Sequence, residues 1–224
     1  MTRSTGSGQA RSYRAVVFDM DGVLVDSEPA FFDAVNITLE PSGKQIAWSG
    51  YKRLLGTSVE VTWSEVLSML GLPVEIEKYL SRFDEVLLDC LRQPRAPLPG
   101  VDELLDELAC RNVPFALATS SIRPWCDAVM ESTGLAGRFS VAVTADLIEH
   151  QKPAPDIYLR AAELLGVPPN ECVAVEDTIP GIASAKAAGM YAVQSRASST
   201  ALPPIENADL VIETLAEFPL GLVG

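Results

Sequence analysis

Two carboxylates, Asp19 and Asp21, follow directly after a short apolar run over residues 14–18, and Gly22 comes next. Alternate residues of a strand project to the same side, so these carboxylates would leave the end of a buried strand as a pair. At that separation they repel each other unless a cation or a shared proton relieves the repulsion. Because Asp and Gly are also common turn residues, a surface turn without chemical importance is the alternative.

The rest of the chain contains the elements that would hold such a pair at a sheet edge. Beyond residue 100, short apolar stretches alternate with amphipathic ones, which indicates repeated strand–helix units. Such units favour an α/β fold, a doubly wound parallel sheet with helices on both faces. The predicted strands are residues 14–18, 113–119, 141–144, 172–176 and 191–194, with 209–212 as a candidate sixth, and the predicted helices are 101–110, 124–132, 155–165 and 180–188.

Polar side chains also follow the later predicted strands. Thr119 and Ser120 come after the second strand, Lys152 comes after the third, and Glu176 and Asp177 come at the end of the fourth. Singly, each has a structural explanation, as a helix cap or as a solvated lysine ahead of a helix. In an open parallel sheet, however, ligands bind at the carboxyl ends of the strands, where all of these side chains would converge.

The residue types at these strand ends suit one chemistry, the transfer of a phosphoryl group. Mg²⁺ prefers carboxylate oxygens together with water and substrate phosphate. The Thr119 hydroxyl and the Lys152 ammonium could bind phosphate oxygens. One carboxylate of the first pair could attack phosphorus while the other moves protons. The candidate magnesium ligands are the acidic side chains at the first and fourth strand ends, Asp19, Asp21, Glu176 and Asp177.

Residues 28–96 contain no convincing strand but several amphipathic stretches, at 29–40, 47–55, 58–70 and 75–92. A Pro-rich stretch over residues 93–100 ends this region. The pattern predicts a small helical domain inserted into the α/β domain. We therefore expect a disordered tail over residues 1–12, an α/β core made of residues 13–27 and 97–224, and a helical cap domain over residues 28–96.

Composition argues against several classes of protein. The 224 residues carry 17 Lys and Arg against 30 Asp and Glu, and a net charge of −13 disfavours a nucleic-acid partner. No apolar run is long enough to cross a bilayer, so we expect no membrane partner. The four cysteines are widely spaced and His150 is the only histidine, which disfavours a zinc site and a Cys–His pair. We expect buried, reduced thiols in a cytoplasmic protein that is a monomer or a weak homodimer.

The polar strand ends resemble the four motifs of the haloacid dehalogenase-like (HAD) superfamily. The resemblance extends from residue 14 to about residue 196 and is closest to the phosphatase and phosphomutase branch with a helical cap, which includes phosphoglycolate phosphatases and β-phosphoglucomutases. The four matching segments are, in order, residues 19–29, Thr119 with Ser120, Lys152 with the Pro-Ala-Pro-Asp that follows it, and Glu176-Asp177-Thr178 with Gly181.

The resemblance implies a role for each of these residues. Asp19 is the expected nucleophile, and Asp21 is the expected general acid and base. An acid at the place of Asp21 is found in the phosphate-ester enzymes of the superfamily, whereas its dehalogenases and phosphonatases lack one. The phosphoryl group is expected to bind Thr119, Ser120 and Lys152. Mg²⁺ is expected to bind Asp19, Glu176, Asp177 and the backbone carbonyl of Asp21.

Two departures from the family pattern lie in the helical region. Sugar-phosphate mutases and many related phosphatases of this branch carry a histidine soon after Ser-Glu-Pro, where this chain has Phe31. Their cap loop often has a basic residue after a Gly-x-Ser segment, where this chain has Val59. Both differences weaken a mutase assignment, because a mutase must bind a second phosphate in the cap. The cap residues expected to set substrate specificity are Arg53, Gly56, Thr57 and Ser58, and the aromatic side chains nearby, Trp48, Tyr51 and Trp63, either contribute to this or form the core of a helical bundle.

We therefore expect a Mg²⁺-dependent phosphatase that hydrolyses a small phosphorylated metabolite, such as a sugar phosphate, through an aspartyl-phosphate intermediate. A sugar phosphomutase of the β-phosphoglucomutase type is the alternative enzyme. A binding or regulatory module that retains the fold without turnover is the non-enzymatic alternative. The sequence does not identify the substrate, because the motifs determine the reaction whereas the cap determines substrate selectivity.

Overall fold

The computed structural model describes residues 12–198 and 203–224. The tail that the sequence predicts over residues 1–12 lies outside these ranges, apart from Ser12. The hydroxyl of Ser12 donates a hydrogen bond of 2.9 Å to the carbonyl oxygen of Gly224. The first described residue of the chain is therefore tied to the last.

Six parallel strands form one sheet in the order β3-β2-β1-β4-β5-β6, which confirms the predicted doubly wound parallel sheet. The candidate strand near residue 210 is its sixth member. The strands are β1 (Ala15–Phe18), β2 (Phe115–Ala118), β3 (Val141–Val143), β4 (Cys172–Glu176), β5 (Tyr191–Ser195) and β6 (Leu210–Ile212).

β1 lies between β2 and β4, and Phe18 pairs in register with Leu117 on one side and Val175 on the other. The chain builds the sheet outward through β2 and β3, and then continues from β4 on the opposite side of β1. The strand order therefore reverses at β1. In open α/β sheets the crevice outside the carboxyl ends of the strands at such a point is where ligands bind.

The four residues of β1 are completely buried because the sheet is covered on both faces. Val16 and Phe18 belong to one apolar cluster, and Ala15 and Val17 belong to another. This alternation follows from the two-residue period of a strand. The helices that follow β1 beyond the helical segment are α5 (Val101–Cys110), α6 (Arg123–Ser132), α7 (Asp156–Leu165) and α8 (Ile179–Ala187).

Between β1 and α5, residues 28–96 form a helical segment in which the structure contains no strand. Its helices are α1 (Glu28–Leu39), α2 (Trp48–Tyr51), α3 (Val59–Met69) and α4 (Glu77–Leu91). The single helix predicted over residues 47–55 is wrong, because α2 ends after four residues and a 3₁₀ turn, Lys52–Leu54, follows it. Gly50 within this stretch lowers its helix propensity, and Gly56, with φ of +77°, ends the turn.

Aromatic and aliphatic side chains fill the interior of the helical segment. Trp63 is fully buried and contacts Phe83 edge-on, with ring centroids 5.5 Å apart. Trp63 and Tyr51 are therefore core residues, whereas Trp48 is 42% exposed. None of the described helices combines the length and the apolar character that crossing a membrane requires.

All four cysteines are free thiols. Cys126 and Cys172 are buried, as the sequence predicts. The same expectation is wrong for the other two, since Cys110 is exposed and Cys90 is only partly buried. Cys110 ends α5 at the protein surface, where a thiol needs no partner.

Replacing Leu87 by alanine tests the packing of α4 within the helical segment. Leu87 is fully buried, so the Leu87→Ala variant should lose about 2–5 kcal/mol of unfolding free energy through lost burial and a residual cavity. The exposed neighbour Glu85 provides the control, since Glu85→Ala should stay within about 0.5 kcal/mol of the parent protein. Urea unfolding measures both, and equal losses would contradict this packing.

Candidate active site

Asp19 is the first residue after β1 and continues the sheet pairing, because its N–H donates to the carbonyl oxygen of Val175 at 2.9 Å. Asp19 is only 6% exposed. Gly22, with φ of +81°, turns the chain back, and its N–H donates to the carbonyl oxygen of Val25 at 2.8 Å. The alternative of a surface turn is therefore wrong, since the turn lies inside the protein at the sheet edge.

Asp21 is held by two hydroxyl groups from different parts of the chain. One carboxylate oxygen accepts a hydrogen bond from Ser27, and the other accepts one from the Ser121 hydroxyl at 3.2 Å. Burial raises the pKa of Asp21, and the two hydrogen bonds oppose that rise by stabilising the charged form. Ser121 follows β2, so this pair of contacts ties the first strand end to the second.

Lys152 lies between two carboxylates. Its ammonium donates to Asp19 Oδ1 at 2.6 Å and to Glu176 Oε1 at 2.6 Å, and its side chain is only 7% exposed. A third hydrogen bond, of 3.2 Å, goes to the carbonyl oxygen of Ala118 at the end of β2. The alternative of a solvated lysine is wrong, because Lys152 joins the ends of β1, β2 and β4.

Glu176 is fully buried, and both of its oxygens already accept hydrogen bonds. Oε1 accepts from Lys152 and, at 2.9 Å, from the Tyr158 hydroxyl. Oε2 accepts from the N–H groups of Asp177 and Thr178 and from the Thr178 hydroxyl. The Lys152 charge and these hydrogen bonds hold the pKa of Glu176 below its usual value, against the effect of burial. The Glu176 carboxylate therefore stabilises the turn after β4.

Tyr158 was not anticipated from the sequence. It lies on α7, is fully buried, and its ring lies 5.3 Å below the Lys152 ammonium. Its position six residues after Lys152, on the inner face of the next helix, is the one sequence signal for this contact. That signal is weak, because a buried tyrosine on an amphipathic helix is ordinarily a core residue.

Asp177 has a buried carboxylate oxygen, Oδ1, that no described group satisfies. Burial and the charges of Glu176 and Asp19 raise the pKa of Asp177 well above its usual value. Carboxylate oxygens of Asp19, Glu176 and Asp177 lie within 4.8 Å of one another. A Cβ atom at Gly22 would lie 1.9 Å from Asp177 Oδ2, so only glycine allows this close approach. An orphaned buried oxygen and hard oxygen donors fit a magnesium ion.

The carboxylate of Asp21 is not part of this group of three. A contribution of Asp21 to a metal would therefore come from its backbone carbonyl. Glu176 is part of the group, but its oxygens are occupied by five hydrogen bonds. The donors best placed for a cation are those of Asp19 and Asp177.

Thr119 and Ser120 lie at the same edge of the sheet. Thr119 is completely buried, and its hydroxyl oxygen accepts a hydrogen bond of 3.0 Å from the N–H of Ser121. Ser120 is exposed. The helix-cap explanation of this segment is wrong, since the N-cap of α6 is Ile122 and no side chain caps it. For the fourth strand the same explanation holds in part, because Thr178 caps α8 by accepting from the N–H of Gly181.

The four predicted specificity residues of the helical segment lie in an exposed turn ahead of α3. Ser58 is the N-cap of α3 and accepts a hydrogen bond from the N–H of Val61. The Thr57 hydroxyl is hydrogen-bonded within the same region, to the carbonyl oxygen of Leu54 and to Thr62. Arg53, Gly56, Thr57 and Ser58 are all exposed. The contacts described for Thr57 and Ser58 stabilise the start of α3. That these four residues determine substrate specificity stays a prediction.

Phe31 connects the helical segment to the sheet domain. Its ring contacts Trp125 of α6 edge-on, with centroids 5.9 Å apart, and it also contacts Phe83 of α4 at 6.5 Å. Trp125 is close behind Ser121 in the chain. The side chain that replaces the histidine of the mutases is thus an apolar contact between the two parts of the molecule.

Glu28 is a second residue that sequence reasoning passed over. It is the first residue of α1, and its carboxylate accepts a hydrogen bond of 3.4 Å from the Tyr51 hydroxyl. Burial and the negative charges of Asp21 and Asp26 raise the pKa of Glu28 to about 7. Glu28 therefore lies within electrostatic range of Asp21. Its position within Ser-Glu-Pro, next to a residue that binds Asp21, was the available signal.

A family model described as haloacid dehalogenase-like hydrolase matches residues 13–189. The chain belongs to this family. The fructose-1-phosphate phosphatase YqaB of Escherichia coli (strain K12) is 32% identical over 184 residues, covering 82% of this chain and 97% of that protein. The phosphorylated carbohydrates phosphatase of Thermotoga maritima is 32% identical over 176 residues, covering 79% of this chain and 82% of that protein.

The HAD-like fold is also seen in solved structures. The crystal structure of CbbY from Rhodobacter sphaeroides in complex with phosphate has a TM-score of 0.80 at 27% identity, and the match covers 94% of this chain and 99% of that one. The similarity to phosphatases extends over most of the chain. This HAD-like hydrolase is a phosphoric monoester hydrolase.

Removing the Lys152 charge should destabilise the HAD-like fold in metal-free buffer. Lys152→Met leaves two buried carboxylates without their cation and should cost about 3–5 kcal/mol of unfolding free energy. Lys186 provides the control, since its ion pair with Asp209 lies at the surface and Lys186→Met should cost at most about 1 kcal/mol. Denaturant unfolding measures both variants. A loss at Lys152 no larger than the loss at Lys186 would contradict the bridging role.

The raised pKa of Glu28 predicts a pH-dependent stability. The folded protein holds the Glu28 proton more tightly than the unfolded chain, whose ordinary pKa is 4.5, so the stabilisation from protonation is lost as the pH rises from about 4.5 through about 7. The Glu28→Gln variant lacks this titration. The thermal midpoint of Glu28→Gln minus that of the parent should therefore increase from pH 5 to pH 8. A difference that does not change with pH would show that Glu28 titrates normally.

Proposed function

We propose that this enzyme is a Mg²⁺-dependent phosphatase that hydrolyses small phosphorylated metabolites, sugar phosphates among them, through an aspartyl phosphate on Asp19. One observation carries the proposal. Two carboxylates leave the central strand in different environments, Asp19 against the Lys152 ammonium and Asp21 against two hydroxyl groups. Different environments allow the two acids to take different roles, one as nucleophile and one as proton carrier.

In the first half of the reaction, an Asp19 carboxylate oxygen attacks phosphorus and the bond from phosphorus to the ester oxygen breaks. Asp21 donates its proton to the leaving oxygen, which departs as an alcohol. The raised pKa of Asp21 suits this step, because a carboxyl that retains its proton can act as an acid. In the second half, Asp21 takes a proton from water, the water oxygen attacks phosphorus, and Asp19 is released with inorganic phosphate.

The negative charge of the phosphoryl group requires compensation in an acidic protein. Lys152 provides one positive charge beside the nucleophile, and we assign Thr119 and Ser120 to the phosphoryl oxygens. Asp19, Asp177 and the backbone carbonyl of Asp21 would hold Mg²⁺. The bound ion would supply positive charge where the nucleophile and the phosphate, both anionic, approach each other. Glu176 supports this arrangement by positioning Lys152 and the turn that carries Asp177.

We assign the helical segment, residues 28–96, to a cap domain over the α/β core formed by residues 13–27 and 97–224. The Phe31–Trp125 contact supports this assignment, because it places α1 next to the segment that follows β2. A cap in this position would exclude bulk water during phosphoryl transfer. The substrates named for the similar proteins, fructose 1-phosphate and phosphorylated carbohydrates, support a small phosphate ester as substrate.

The phosphomutase alternative finds no support at Phe31. A phenyl ring can neither move a proton nor hydrogen-bond a sugar hydroxyl. Its edge-on contact with Trp125 also leaves it engaged in packing. The discriminating measurement is whether sugar 1-phosphate becomes 6-phosphate faster than inorganic phosphate is released, and hydrolysis should be the faster reaction.

Substitution of the two aspartates tests the mechanism. Asp19→Asn removes the nucleophile and should reduce Mg²⁺-dependent phosphate release by at least about 10⁴-fold, to the level reached when a nucleophile is lost. Asp21→Asn should reduce kcat by about 10²–10⁴-fold, because only proton transfer is lost. Phosphate release from a panel of phosphate esters, with Mg²⁺ and with EDTA, measures both effects.

The exposed Asp127 of α6 offers a matched control, and Asp127→Asn should keep full activity. Trapping the intermediate gives an independent readout. Acid-quenched protein should carry phosphate on Asp19 in the parent and none in Asp19→Asn. Full activity in Asp19→Asn would end the proposed mechanism, and activity that EDTA leaves intact would end the assignment of Mg²⁺.

A further inference from the structure

We propose that Glu28, positioned by the buried Tyr51, and Trp48 line the leaving-group side of the active site and select phosphate esters of uncharged polyols over esters whose leaving group carries a second anion. This inference rests on the proposed phosphatase function. It assigns specificity to the start of α1 and to α2, whereas the sequence pointed to the exposed turn at residues 53–58.

Glu28 lies within electrostatic range of Asp21, the proposed proton donor to the leaving oxygen. The preceding residue, Ser27, donates a hydrogen bond to the carboxylate of Asp21, the proposed acid. Burial raises the pKa of Glu28 most, and the negative charges of Asp21 and Asp26 raise it further. A leaving group that receives its proton from Asp21 therefore departs on the side where Glu28 lies.

Three aromatic rings, those of Phe32, Tyr51 and Trp48, pack next to Glu28. Phe32 lies one helical turn after Glu28 on the same face of α1. The Tyr51 ring contacts Phe32 at 5.4 Å between centroids, while its hydroxyl reaches Glu28 at 3.4 Å. Trp48 contacts Phe32 at 5.1 Å and Tyr51 at 5.7 Å. Glu28 and the three rings thus form one continuous surface.

Trp48 is the member of this surface that is not used for packing alone. The other two indoles, Trp63 and Trp125, are buried or partly buried, whereas Trp48 is 42% exposed. An exposed aromatic face next to a carboxyl matches the chemistry of a polyol. The C–H face of such a molecule packs on an aromatic ring, and its hydroxyl groups hydrogen-bond to a carboxyl.

The charges around this surface disfavour a second anion. Glu28 and Asp26 are both acidic, and like charges repel over several ångströms in a partly buried site. The nearby guanidinium of Arg95 is engaged with the carbonyl oxygens of Cys90, at 2.7 Å, and Gln93, at 3.4 Å. Its positive charge lies within electrostatic range of Asp21 and Asp26, whose two negative charges outweigh it.

Lys52 and Arg53 are the groups that would support the opposite selectivity. They follow Tyr51 directly and are exposed. If they faced the leaving group, an anionic substrate would be favoured. A preference for uncharged esters would therefore indicate that Glu28 faces the leaving group, and a preference for anionic esters would indicate that Lys52 and Arg53 do.

The experiment compares two pairs of esters that differ mainly in charge, glycerol 3-phosphate with 3-phosphoglycerate, and glucose 6-phosphate with 6-phosphogluconate. The parent enzyme should show kcat/KM at least about tenfold higher for the uncharged leaving group, as expected for one close like-charge repulsion. Glu28→Gln keeps the size of the side chain and should reduce this preference by at least about threefold. Trp48→Ala should raise KM for glucose 6-phosphate more than it lowers kcat.

Glu65→Gln removes an exposed carboxylate elsewhere in the helical segment and should leave the preference unchanged. Thermal unfolding of each variant establishes that it is folded. Preference for the anionic esters, or a preference that Glu28→Gln does not alter, would overturn the inference.

Mg²⁺-dependent hydrolysis of p-nitrophenyl phosphate separates this inference from the proposed function. Hydrolysis of that ester without activity on either pair, or without charge preference, would overturn the inference and leave the phosphatase intact. Failure to hydrolyse any of the esters would overturn both.

Discussion

The active site depends on one buried cation, the ammonium of Lys152, between the carboxylates of Asp19 and Glu176. Burial raises the pKa of carboxylates at the end of a sheet, and the Lys152 charge opposes that rise at both residues. The pKa of Glu176 is held below its usual value, whereas burial still raises the pKa of Asp19 to about 8. The two hydrogen bonds of Lys152, each of 2.6 Å, hold β1 and β4 together at this edge of the sheet. The rest of the fold places these three residues, which are far apart in the chain, within reach of one another.

One positive charge does not neutralise this edge of the sheet. Asp177 retains a buried oxygen without a partner, and Asp21 is held by neutral hydroxyl groups. The remaining negative charge and the unpartnered oxygen of Asp177 fit the metal ion that we propose at this edge of the sheet. Glu176, whose oxygens are fully used, belongs to the structure that positions the site more than to the set of open donors.

The helical segment contributes through contacts that differ in kind from those of the sheet. Phe31 packs against Trp125, and Glu28 with Tyr51 extends a surface away from Asp21. Both sets of contacts begin in the first turns of α1, directly after the loop that carries Asp19 and Asp21. A short stretch of chain thus connects the end of β1 to the surface that we propose for the leaving group.

The sequence by itself determined the α/β class, the sheet strands to within two residues at each end, and the convergence of Asp19, Asp21, Thr119, Lys152, Glu176 and Asp177. It could do so because the two-residue and 3.6-residue periods are local, and because parallel strands in this order bring their carboxyl ends to one edge. Tertiary structure alone decided which of these groups contact each other. Residues from separate elements meet where Lys152 and Tyr158 donate to Glu176, where the Tyr158 ring lies under Lys152, and where Tyr51 contacts Glu28. Contacts of that kind depend on packing, which no local pattern encodes.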